Sequence, residues 1–131
     1  MAPRERRIDA AGVQARASHA RSFLEVADLL KDETGRAEQN VRASLAVLAG
    51  IAAADAICGH VTGKASRSQD HQTAAALLRP IDTKGATILS RLLSDKSDAQ
   101  YTPSFISAAE ATRMVAYARD LVKAMDRILQ A

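Results

Sequence analysis

Apolar residues recur along this chain every three to four positions, and that spacing predicts helices. Five are expected. The first runs from about Asp9 or Ala15 to Lys31, with Phe23, Leu24, Ala27 and Leu30 on one face and Gly35 in the break after it. The second runs from about Arg36 to Gly59, with Val41, Leu45, Leu48, Ala52 and Ala56 as its inward stripe. Residues 61–66 read as a loop. Ser66 followed by Gln69 has the form of a capping box, so a short third helix is expected from there. It stops before Pro80, because the residue preceding a proline avoids the α region. A fourth helix is expected over about Asp82–Ser97, with Ile88, Leu89, Leu92 and Leu93 inward. Ser107 with Glu110 forms a second capping box. It opens a fifth helix that carries Met114, Val115, Ala118, Leu121, Val122, Met125 and Leu129 on one face. No useful stretch alternates with period two, so no sheet is expected.

Composition narrows this to an all-α bundle of about five helices. Apolar residues make up 47% of the chain but aromatics only 3%. The core must therefore be built from Ala, Leu, Ile and Val, and Ala is both the best helix former and small enough to let helices approach closely. The 131 residues suffice for one domain. Residues 1–14, with Arg4, Arg6 and Arg7 around Glu5, read as a basic, flexible arm ahead of a bundle over 15–131. The stretch from Ala43 to Gly63 is apolar enough to resemble a membrane span, but Asp55 near its middle favours a buried bundle helix. No membrane association is expected.

The net charge of +3 permits a nucleic-acid partner without demanding one, since Lys and Arg are spread along the chain. Cys58 is the lone cysteine, which excludes an intrachain disulfide and fits a reducing cytoplasm. No two histidines stand three or four apart, so no metal site is expected, and nothing in the sequence calls for a cofactor.

Three groups of residues could carry chemistry. Arg67, Asp70 and His71 fall at the expected start of the third helix. Arg67 and His71 are four apart, so on a helix they share a face. A guanidinium can grip a phosphate and an imidazole can move a proton, the two acts that RNA cleavage by a 2′-hydroxyl requires. The same residues also read as ordinary charges of a helix start. Asp55 is the only charge in a long apolar stretch, and a buried carboxylate needs a partner. Arg67, Lys96, His71 and Tyr101 are the expected partners. It either positions a binding group or forms a structural ion pair. The third group is Lys96, Gln100 and Tyr101, at the end of the fourth helix.

The run Asp95–Met125, with Lys96, Gln100 and Tyr101 before a turn at Pro103 and a long amphipathic helix from Ser107, resembles the C-terminal end of HEPN domains. The segments 63–71 and 53–59 resemble parts of small stand-alone bacterial members. The resemblance implies an antiparallel up-and-down bundle, a homodimer and a role in toxin–antitoxin, defence or nucleotide-handling systems. The family's ribonucleases carry an Arg-x(4–6)-His motif, the Arg holding the scissile phosphate and the His transferring a proton. Here Lys96 and Gln100 occupy those positions and Tyr101 matches the following Tyr. Lys lacks the two-pronged fork of Arg, and Gln is no general base at neutral pH. The resemblance thus implies an RNA-associated module with an impaired motif, partnered by RNA or by an antitoxin or other protein. A metal-independent endoribonuclease using Arg67 and His71 and a non-enzymatic protein-interaction bundle are the alternatives.

Overall fold

A computed structural model describes residues 5–67, 71–95 and 104–131, and 78% of these are helical. Strand β1 (Glu5–Arg7) leads into helix α1 (Ala10–Leu29). Helix α2 (Arg36–Thr62) is followed by strand β2 (Lys64–Ser66) and helix α3 (His71–Leu78). Helix α4 is Thr83–Ser94 and helix α5 is Ala108–Gln130. The five expected helices are therefore present, and α1, α4 and α5 start on local side-chain caps. The Asp9 carboxylate accepts from the Gly12 N–H (2.8 Å), Asp82 from Gly85 (3.0 Å) and the Ser107 hydroxyl from Glu110 (3.0 Å).

The expectation of no sheet fails at one place. Gly63 ends α2 in the left-handed conformation (φ 73°), where an L side chain is unfavourable, and its N–H bonds to the Gly59 carbonyl. The chain reverses there into β2, which pairs antiparallel with β1 in the register Glu5 to Ser66, Arg6 to Ala65 and Arg7 to Lys64. The Ile8 N–H extends the pairing to the Gly63 carbonyl (3.0 Å). Strands of three residues are too short to show a period-two pattern. Ser66 lies in this strand and does not cap α3, which begins at His71. Residues 5–14, read from sequence as part of an arm set apart from the bundle, form β1 and the start of α1. Ile8 and Val13 are buried in the core.

Helix α2 is the centre of the fold and packs against α1, α3, α4, α5 and β2. It alone among the described residues is long and apolar enough to cross a membrane, and 72% of that stretch is buried inside the bundle. Its inward face differs from the expected one. Ala43, Ala46, Val47, Ala53 and Ile57 are fully buried, whereas Val41 and Leu48 stand 47% and 38% exposed. Small residues set this packing. A Cβ at Gly50 would come within 2.7 Å of Leu92, and one at Gly59 within 2.6 Å of Ile8. The inward faces of α4 and α5 match expectation at Ile88, Leu89 and Leu92 and at Met114, Leu121 and Met125, whereas Leu93 and Leu129 are only half-buried.

Candidate functional site

The short helix α3 and the second half of α4 flank an open groove of about 540 Å³. Helix α3 contributes His71, Gln72, Ala75 and Ala76, and Arg79 follows its last residue with its N–H still bonded to the Ala75 carbonyl, so the five recur at one-turn spacing in one stripe. Helix α4 contributes Ser90, Leu93 and Ser94. The floor is apolar, from Ala75, Ala76 and Leu93. Among the described residues its polar groups are a guanidinium, an imidazole, a carboxamide and two hydroxyls, with no carboxylate. Arg79 is exposed and forms no ion pair among the described residues. Such a lining suits an anion that also carries an apolar surface. Sequence reading found His71 but missed Arg79. The signal was present in the eight-residue step between them, and reading it required knowing that α3 runs unbroken from His71 to Leu78.

Arg67 does not share a helix with His71. It follows β2 at an exposed position, while His71 is a half-buried first residue of α3. The four-residue spacing therefore does not put them on one helical face. Asp70, Lys96, Gln100 and Tyr101 lie outside the described residues. The groove's α4 end, at Ser94, is two residues from Lys96 in the chain.

Asp55 is buried, as its apolar neighbours suggest, but its partners are not the expected ones. Its carboxylate accepts from the Arg16 Nε of α1 at 3.0 Å and lies 3.5 Å from Arg6 Nη2 of β1. Arg6 also donates to the Ser66 carbonyl (3.1 Å), tying β1 to β2 and α2 at once. Burial pushes the Asp55 carboxyl above the ordinary carboxylate range, and the two guanidiniums oppose it. One turn along α2, burial and then the Asp55 charge push the Cys58 thiol up to about 12, so it is protonated and unreactive at neutral pH. This cluster fastens the N-terminal strand to the bundle and is separate from the α3–α4 groove.

Sequence reading also missed Arg42. Its side chain is turned into the α2–α5 contact, 5% exposed, and bonds to Gln39 (2.9 Å) and Thr112 (3.3 Å) with no carboxylate partner among the described residues. Among those residues no three His, Cys, Asp or Glu side chains come together as a metal site.

No family model matches the chain, and no curated protein or solved structure matches it either. The HEPN likeness accordingly rests on the short sequence motifs alone.

Proposed function

We propose that this chain is a HEPN-like bundle, its helices arranged up and down, that serves as a nucleic-acid-associated module of a toxin–antitoxin or defence system. The observation that supports this reading is the α3–α4 groove, lined by no carboxylate among the described residues, with the Arg79 guanidinium, in no ion pair among those residues, at one end and the His71 imidazole at the other. At 1.5 Å rise per residue the two stand about 12 Å apart along α3, too far to hold one phosphate. They suit successive points on a phosphate-bearing chain. Arg67, exposed just before α3, adds a further cation on the approach. Substitution of the family's motif by Lys96 and Gln100 favours binding over cleavage.

The test is RNA binding at graded salt, with EDTA present so that cleavage can be followed alongside. The affinity is expected to fall as salt rises, and Arg79→Ala is expected to weaken binding and reduce the salt slope by about one. Cleavage that persists in EDTA and is lost in His71→Ala would favour the ribonuclease alternative. Absence of RNA binding at low salt, or binding indifferent to both Arg79→Ala and Arg67→Ala, overturns the reading.

A further inference from the structure

The solvent face of α4 carries cations and hydroxyls and no acid. Its exposed residues are Thr83, Lys84, Thr87, Ser90, Arg91 and Ser94. At about 100° per residue they fall within an arc of about 120°, so they form one continuous strip. The carboxylates nearest in the chain, Asp82 and Asp95, are the half-buried caps at the two ends of the helix. Helix α4 packs against α3 and against α5. On the α3 side, Ser90 and Ser94 line the groove that holds Arg79, and the Thr83 hydroxyl donates to the Arg79 carbonyl (3.2 Å). On the α5 side, Lys84 shares a hollow of about 110 Å³ with Lys123 and Arg127. Asp82 and Asp120 also line that hollow, and the Asp82 carboxylate is engaged by the Gly85 N–H. Arg91 lies over the Tyr117 ring at 5.9 Å and donates to its hydroxyl (3.2 Å). Lys84, Arg91, Lys123 and Arg127 form no ion pair among the described residues.

Cations therefore stand on three adjacent elements: Arg79 beyond one edge of α4, Lys84 and Arg91 on it, and Lys123 and Arg127 beyond the other edge. Packed helices lie about 8–10 Å apart, so the outer cations are separated by about 16–20 Å. A single strand would follow one of these lines, whereas a double helix presents two backbones of phosphates at once. Neither the groove nor the hollow is lined by a Phe, Tyr or Trp ring. Single-strand recognition relies on stacking bases on such rings, while a duplex is held through its backbones. The hydroxyls indicate which duplex. Thr83, Thr87 and Ser94 donate their protons to backbone carbonyls, so towards solvent their oxygens accept. A phosphate oxygen has no proton to give, but a ribose 2′-hydroxyl does, and A-form RNA displays these along its wide minor groove. We propose that the outer face of α4, with Arg79 on one flank and Lys123 and Arg127 on the other, binds double-helical RNA across its minor groove. The proposal rests on the reading of this chain as an RNA-associated module and names the form of RNA it takes.

The test is fluorescence anisotropy of the full chain at one low salt concentration with three probes of the same length and sequence: duplex RNA, single-stranded RNA and duplex DNA. Duplex RNA is expected to bind about tenfold tighter than either of the others. The double variant Lys84→Glu/Arg91→Glu, at exposed positions, is expected to keep the wild-type circular dichroism and to bind duplex RNA more than about tenfold more weakly. Lys84→Glu alone, which disturbs no side-chain bond among the described residues, is expected to weaken it a few-fold. Thr87→Val removes one acceptor at nearly constant volume and is expected to weaken duplex RNA while leaving duplex DNA unchanged. Absence of binding to all three probes overturns the RNA-associated reading itself, and this proposal with it. Single-stranded RNA or duplex DNA bound as tightly as duplex RNA, or wild-type duplex affinity in the Lys84→Glu variant, overturns this proposal alone.

Discussion

Helices α1 and α2 pack along a seam marked at one end by the Arg16–Asp55 contact, and its two ends invert the usual distribution of polarity. At one end Asp55, only 5% exposed, is enclosed with Arg6 of β1 and Arg16 of α1. At the other, Val41 and Leu48 occupy the same stripe of α2 and reach solvent. The helix is continuous and the stripe is the same, so residue type does not decide what is buried. The difference is the N-terminal strand, which Gly63 and Arg6 hold over one end and which does not extend to the other. A charge can stay buried where its partners arrive with the cover, because the strand that excludes water also supplies a guanidinium.

Substitutions at the two ends test that contrast. Asp55→Ala leaves Arg6 and Arg16 without their anion and is expected to cost about 2–4 kcal/mol in urea unfolding. Val41→Ala at the open end is expected to change stability by less than about 0.5 kcal/mol. Equal effects at both ends would erase the distinction. A loss smaller than that of Asp55→Ala is expected from Gly59→Ala. Its new Cβ would meet Ile8 at 2.6 Å and Val13 at 2.8 Å, pushing the cover off the seam. Overpacking of this kind costs about 1–3 kcal/mol. A neutral outcome, read from the same urea midpoints, would mean that β1 is not pressed against α2.

The sequence made the helices legible because most are long enough to show their period and three of them, α1, α4 and α5, start on a local cap. It did not make the face of α2 legible. In an Ala-rich helix most stripes are compatible with burial, and the few large side chains, Val41 and Leu48 among them, draw the eye to the side that faces out. The partners of Asp55 were hidden for a different reason. Arg6 and Arg16 are 49 and 39 residues away in the chain, and only a hairpin-like return at Gly63 brings the first of them back. In the candidate site, His71 was visible as a residue type. Arg79 became a candidate only once α3 and α4 were seen to enclose a groove.

The smallest expected effect separates burial from pairing at Asp55. Burial raises this carboxyl, while Arg16 and Arg6 lower it, and the net direction is upward from the ordinary 3.8. Between that value and the raised one, the folded chain keeps a proton that the unfolded chain has released. Stability then falls as pH rises through this window, since the folded state binds more protons. Asp55→Asn removes the titration yet can still accept the hydrogen bond from Arg16. The stability of the Asn variant relative to the wild type is therefore expected to increase as pH is raised from below 3.8 towards neutrality. Urea midpoints of both chains at several pH values measure it. If the difference instead runs the other way, with the wild type gaining on the Asn variant as pH rises, the guanidiniums outweigh burial. The covered end of the seam would then be held together by its charges rather than merely tolerating them.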